Sequence, residues 1–392
     1  MGRSMLAYIP VNLANMIVSF GTIVVLTRLL DSAEFGRYAI AMITLQFVHM
    51  GLFTWLEASM VRFQARAERE GDMRSHLKTI YNYAAVSAGT GFIAIMIVLW
   101  LLPIGADMKT VLGFALASTC LSLIVNLGME AHKADHRIRR YSTLYTTQML
   151  ASFSIGILLI MLTPLRESAP FIGIAIATFF VLLIDLPFMM KRMKGGRVQP
   201  EKARTYFKYG MPICISLFLT YTLSSGDMFL INAFLGESAA GQYNAGYNLA
   251  NRSLDVLFVW IAMAVTPIAI TALEQEGVER SKTILRDYGA VLLWLAMPAA
   301  TGIALVAGPA GFVLGESVRE EAVKIIPLIA FAGVLNGMIS YYVHRAFMLS
   351  TKTHMFVWAM VPPVILNIGL NLWLIPVMGL MGAVYATVAA YM

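Results

Sequence analysis

Charge is scarce in this chain: Asp, Glu, Lys and Arg make up 13% of its 392 residues, against 59% apolar residues. Soluble domains carry about 25% charged residues, so this shortage excludes a water-solvated globular protein and points to one embedded in a membrane. Cysteine is equally rare. Only Cys120 and Cys214 are present, both in apolar runs, which excludes a disulfide framework or a metal-ligating cysteine spacing. The chain has no phosphate-cradling G-x-x-x-x-G-K, no H-E-x-x-H and no cysteine–histidine cluster, so nothing marks it as an enzyme. The apolar stretch from Met5 to Leu29 is too long for the core of a cleaved signal peptide and leads directly into a second apolar run.

What is there is a series of apolar runs. The hydropathy pattern predicts twelve membrane helices, at 5–29, 38–61, 79–102, 111–130, 143–163, 170–190, 209–235, 239–269, 289–314, 323–346, 356–376 and 380–392. Most are near the ~20 residues a bilayer requires. Of the 29 Lys and Arg residues, 21 fall in alternate connections or at their edges, beginning with the one after the second span. The positive-inside rule then places the N-terminus and those connections in the cytoplasm. The net charge of +7 therefore reads as orientation, not as affinity for nucleic acid. The expected last helix is shorter than its counterpart in the first half and reads as truncated.

The two halves repeat. Leu30-Asp-Ser-Ala-Glu-Phe-Gly36-Arg-Tyr38 and Leu235-Gly-Glu-Ser-Ala-Ala-Gly241-Gln-Tyr243 spell the same turn, and the offset also aligns Asn15, Ser19 and Thr22 with Thr220, Ser224 and Asp227. A second echo pairs Gly173, Ala177 and Thr178 with Gly382, Ala386 and Thr387. A duplicated membrane chain is the pattern of a transporter built from two lobes. The expected division is a first lobe over 1–190, a basic cytoplasmic linker over 191–208 and a second lobe over 209–392. Pro298, Pro327 and the Pro362-Pro363 pair fall inside the ninth to eleventh spans, whereas spans two to five have no internal proline. Proline removes a helical hydrogen bond, so the second lobe is expected to be the more bent.

Polar groups inside spans are costly and are read first as functional. Tyr247, Asn248, Asn251, Arg252 and Asp255 share an arc of about 140° on the eighth span, with Arg252 roughly 18 Å deep. Asp255, one turn on, is placed to pair with Arg252, and Asp227 of the seventh span falls within reach of it. A neutralised structural pair and a binding centre both fit these residues. Asn12, Asn15, Ser19 and Thr22 line one face of the first span, while Asn367 and Asn371 are placed to bond between helices. Asp185 and His49 are lone titratable groups, with His49 read as a packing residue. Glu57 and Glu130 lie near inner helix ends, and Arg28 ends the first span.

The run Thr27-Arg28-Leu-Leu-Asp-Ser-Ala-Glu-Phe-Gly36-Arg-Tyr38 resembles the first hairpin of the Wzx-like polysaccharide flippases of the MOP superfamily. Asp227-Met-Phe-Leu-Ile-Asn-Ala-Phe-Leu-Gly236, with Gly241-Gln-Tyr243-Asn-Ala-Gly-Tyr247, is similar to that family's seventh and eighth helices. The ending Asn367…Asn371…Pro376…Gly379…Gly382-Ala…Ala386-Thr387 is similar to its last two. The family usually has Arg or Lys after the seventh-helix Asp; here Met228 stands there.

The resemblance implies an all-α membrane fold, with two pseudo-symmetric six-helix lobes around a central cavity. It also implies movement of an undecaprenyl-diphosphate-linked oligosaccharide, such as an O-antigen, exopolysaccharide or capsule repeat unit, between leaflets of the bacterial plasma membrane. Under that reading Arg252 and Arg28 meet the diphosphate, while Tyr247, Asn251, Asn12 and Asn15 bond sugars. Asp227, Asp255 and Asp185 are the candidates for coupling to Na⁺ or H⁺. No resident cofactor or metal is expected. The partners are the lipid-linked substrate, membrane lipids and a polysaccharide polymerase or assembly protein.

The rival within the superfamily is a cation-coupled multidrug antiporter of the MATE type, which calls for a buried carboxylate in the first lobe; the first span has no acid, and Asp185 is the one deep carboxylate of that lobe. A membrane glycosyltransferase would call for long outer loops, and those here are under about ten residues. A major-facilitator transporter would carry Gly-x-x-x-Asp-Arg-x-Gly, absent from Arg62–Lys78.

Overall fold

The computed structural model describes residues 9–344 and 353–392; the start of the first expected span and the end of the tenth lie outside them. Among the described residues all regular structure is helical: α1 (Ile9–Leu29), α2 (Ser32–Leu52), α3 (Thr54–Arg69), α4 (Met73–Leu101), α5 (Ala106–Ala134), α6 (Ile138–Leu162) and α7 (Ala169–Met193). The second half holds α8 (Pro200–Ser225), α9 (Asp227–Leu235), α10 (Glu237–Gln275), α11 (Val278–Leu305), the short α12 (Ala307–Gly311), α13 (Glu316–Gly337) with a π-helical end at Met338–Val343, α14 (Thr353–Met378) and α15 (Leu380–Tyr391). Nine of the described helices are long and apolar enough to cross a membrane. The count rises to eleven when α2 with α3, and α8 with α9, are each one bent span. This is a multi-pass membrane protein: among the described residues each of the first eleven expected spans overlaps one of these helices or bent pairs, and the twelfth falls on α15, which at 12 residues is shorter than a span.

The helix breaks do not fall at these prolines. α11, α13 and α14 run through Pro298, Pro327 and Pro362-Pro363 as continuous helices. The breaks with bends of 48° and 42° lie between α2 and α3 and between α8 and α9, at Phe53 and Gly226. A proline forfeits one donor, which neighbouring helices tolerate. At Phe53 the side chains of the following turn complete the backbone instead. Thr54 Oγ1 donates to His49 O at 3.4 Å, and Trp55 Nε1 donates to Leu52 O at 3.0 Å.

The chain forms two compact units. The first comprises Met1–Thr22 and Arg37–Phe218; the second comprises Ile23–Gly36 and Leu219–Met392. The division therefore does not follow the basic stretch 191–208, which is tied into the first unit. Gln199 N donates to Thr79 Oγ1 at 3.0 Å, Lys202 pairs with Asp72, and Ser59 Oγ donates to Tyr206 O at 3.1 Å. The core of the first unit is built on Phe53, Leu56, Met60, Leu77, Ile80 and Leu127. In the second, Leu223, Ala332, Met360, Val364 and Tyr391 pack together.

The second unit also holds both repeated hairpins, which cross at equivalent glycines. A Cβ on Gly36 would lie 1.8 Å from Glu237 O, and one on Gly241 would lie 2.2 Å from Ser32 O. Ser32 and Glu237 occupy the same place in the repeat, so the contact is reciprocal, as in an isologous interface. Only glycine permits backbones this close. Beside the crossing, Ser32 Oγ and Ser238 Oγ are 2.6 Å apart.

Candidate functional site

In the second unit the break at Gly226 makes Asp227 the first residue of α9, buried at 2% exposure. Its Oδ2 accepts hydrogen bonds from Tyr243 Oη at 2.5 Å and from Thr387 Oγ1 at 3.3 Å. Its Oδ1 is buried with no hydrogen-bond partner. Both echoes of the repeat thus converge on one carboxylate, since Tyr243 aligns with Tyr38 and Thr387 with Thr178. The expected link from Asp227 to Arg252 is replaced by these two hydroxyls. The Tyr243 ring stacks on Tyr247, with centroids 5.8 Å apart.

The arc read on the eighth span divides in three dimensions. Tyr247, Asn251 and Asp255 are half-buried, whereas Arg252 is exposed. Asn251 faces α13, where a Cβ on Gly333 would lie 3.2 Å from its Oδ1. Arg252 lies on the helix face that continues, seven and eleven residues on, in the exposed Val259 and Met263. Among the described residues no ion pair within 4 Å joins Arg252 to Asp255, although the two are one turn apart.

Arg28 is committed elsewhere. Its Nε and Nη2 donate to Val313 O at 3.2 Å and Phe312 O at 3.0 Å, while Arg319 donates to Gly311 O at 3.0 Å and Leu314 O at 3.2 Å. Two guanidiniums thereby take four successive carbonyls of the turn after α12. The turn is sealed by Gly315, whose N donates to Thr27 Oγ1 at 3.1 Å and whose Cβ position lies 1.7 Å from Thr27 O. Arg28, Asp31, Glu316, Ser317 and Arg319 line an open pocket of about 520 Å³ here.

In the first unit Asn12 is exposed, and Asn15 is half-buried, accepting from Tyr145 Oη at 3.3 Å. Asp185 is not the lone group its span implies. It meets His132 Nε2 at 2.8 Å and Arg140 at 3.0 Å through Nε and 2.8 Å through Nη2. Arg140 also lies over the Phe188 ring at 4.2 Å. His132 and Arg140 sit where any inner helix end carries basic residues, so no residue pattern singled them out. His49 is likewise partnered, its Nε2 lying 3.0 Å from Glu57 Oε2 across the break at Phe53. Among the described residues no three His, Cys, Asp or Glu side chains gather as a metal site would need.

A family model described as "Polysaccharide biosynthesis protein" matches residues 25–323. No curated relative matches the sequence. Among solved structures, an inward-facing multidrug resistance MATE transporter of the MOP superfamily shares the fold at a TM-score of 0.75 and 12% identity. That match covers 98% of this chain and 94% of that one. The lipid II flippase MurJ, in an inward closed conformation, matches at a TM-score of 0.75 and 13% identity, covering 99% and 85%. A point mutant of the Vibrio cholerae MATE transporter VcmN matches at a TM-score of 0.65 and 14% identity, covering 100% and 95%.

Proposed function

We propose that this chain, which belongs to the polysaccharide biosynthesis protein family, carries an undecaprenyl-diphosphate-linked oligosaccharide from the inner to the outer leaflet of a bacterial plasma membrane by alternating access. The observation that carries the reading is the family match over 25–323 on a MOP-superfamily transporter fold, which a lipid II flippase shares. Chemistry supports it. A diphosphate brings about two negative charges, and an exposed guanidinium on a membrane-spanning helix is its natural counter-charge. Arg252 fills that role, with Tyr247 and Asn12 offering sugar contacts. Asn251 and Asn15 contribute through what remains of their bonding capacity. Arg28 holds the turn at 311–314 and does not bind cargo directly.

Asp227 is the strongest of the three aspartates for ion coupling, because its Oδ1 is buried without a bond. Asp185 is already bonded to His132 and Arg140. The N-terminus lies on the cytoplasmic side, and the polymerase or assembly proteins that consume the product are its partners.

The test is movement of a fluorescent undecaprenyl-diphosphate-linked disaccharide across proteoliposomes holding the purified chain. Transport above protein-free vesicles supports the reading. The fold likeness to MATE transporters favours a second reading as a multidrug antiporter. Efflux of a cationic dye with no movement of the lipid-linked sugar would replace the first reading with the second.

A further inference from the structure

Among the described residues each unit holds one of the two breaks within a bent span, and each break carries a carboxylate. In the second unit it is Asp227, at the break itself. In the first it is Glu57, in the first turn of α3, joined to His49 near the end of α2 by a contact of 3.0 Å that spans the 48° bend.

Three features set this pair apart from a structural tie. First, the carbonyls left open by the break are served without it. His49 O accepts from Phe53 N and Thr54 Oγ1, and Leu52 O accepts from Trp55 Nε1. Second, both side chains are largely enclosed yet reach the surface, at 19% and 17% exposure, so a proton can arrive without unfolding. Third, His49 is the one basic side chain within ion-pair distance of Glu57 among the described residues.

The titratable groups that face it are Glu130 of α5, which already holds Lys133 at 2.5 Å, and Cys214 of α8. On α4, Tyr83 packs against Trp55 of the same turn as Glu57. The His49 ring itself packs edge-on against Phe53. Two ligands are too few for Na⁺, which wants several oxygens, but they suffice to share one proton.

We propose that His49 and Glu57 form a proton-binding centre in the first unit, whose loading and release is coupled to cargo movement; the coupling rests on the transport reading above. With the proton on the imidazole, a charge-assisted bond ties α2 to α3 across the bend. When the proton leaves to water, a neutral ring faces an unpaired carboxylate and the tie loosens. The bend angle of this span is then set by protonation.

Two measurements on the full chain test this. In the first, histidine-ring NMR of the purified protein in nanodiscs follows His49, its signal assigned by His49→Gln. The signal should titrate between about pH 5 and 8, and Glu57→Gln should shift the midpoint. A ring fixed in one protonation state, or a midpoint indifferent to Glu57, overturns the centre. If His49→Gln does not insert, Glu57→Asp moves the same signal and serves instead.

In the second, proteoliposomes carrying the fluorescent lipid-linked disaccharide are given a pH gradient. The gradient should accelerate wild-type transport several-fold. His49→Gln and Glu57→Gln should lose that acceleration and keep gradient-independent exchange. Wild-type transport unaffected by the gradient overturns the coupling alone. Absence of any transport overturns the cargo assignment, while the NMR titration still decides the proton site.

Discussion

A guanidinium carries five N–H donors, and where they go decides what an arginine can do. Arg28 commits two of its donors to the Val313 and Phe312 carbonyls, whereas Arg252 is exposed on α10. Opposite behaviour follows on substitution. Arg28→Ala should lower thermal stability by about 1 kcal/mol, the usual worth of such bonds, and slow transport only in proportion. Arg252→Ala should leave melting unchanged and cut transport of the lipid-linked disaccharide more than about tenfold, with Arg252→Lys recovering part of it. Equal losses of stability in the two variants would remove the distinction. Residue type alone does not separate these arginines, because both read as cations on apolar helices. The same holds for His49 and Glu57, eight positions apart. Nothing in a straight-helix reading brings them together until a break turns the chain between them.

At the scale of elements, helix positions are legible and bends are not. Apolar run length fixes each span, so eleven of the twelve expected spans emerge from hydropathy among the described residues. The bends arise instead where side chains such as Trp55 supply the missing backbone bonds, a tertiary arrangement that proline counting misses. The strap 194–202 offers a test outside the membrane. Asp72 in the turn between α3 and α4 pairs with Lys202 at the start of α8. That bond, with help from Ser75, holds the Asp72 carboxyl below its ordinary range. A carboxyl lowered in the folded state stabilises above its unfolded value, about 3.9, and the contribution disappears as pH falls through the folded value. Melting of the wild type should therefore lose an increment, under about 1 kcal/mol for this partly exposed pair, as pH drops below about 4. Asp72→Asn should lack that increment at neutral pH and show a flatter acid limb. Identical profiles would mean that the strap is held by Gln199 and Arg197 backbone bonds alone.

For the whole molecule, the duplication and the transporter fold are readable from sequence because two long offsets carry small and aromatic residues that geometry needs twice. The exchange of segments is not readable. Residues 23–36 belong with the second unit, and 200–218 with the first. Hydropathy reports how deep a residue sits but not which neighbour it packs on. Orientation is the prediction at this scale. With Cys120 and Cys214 replaced, Lys194→Cys should react with a membrane-impermeant thiol reagent only from the cytoplasmic side, and Glu320→Cys only from outside. Both positions are exposed. Labelling from the reverse sides would invert the topology and, with it, the direction of transport.

The reciprocal crossing of Gly36 on Glu237 and Gly241 on Ser32 also sets a timetable for biogenesis. The first hairpin leaves the ribosome about 200 residues before its counterpart, roughly 10–40 s at ordinary synthesis rates of about 5–20 residues per second. During that interval its bare glycine notch sits in the membrane or insertion machinery with its final seat not yet made. A chaperone or insertase that shields it then would raise the yield of native protein without touching the finished fold.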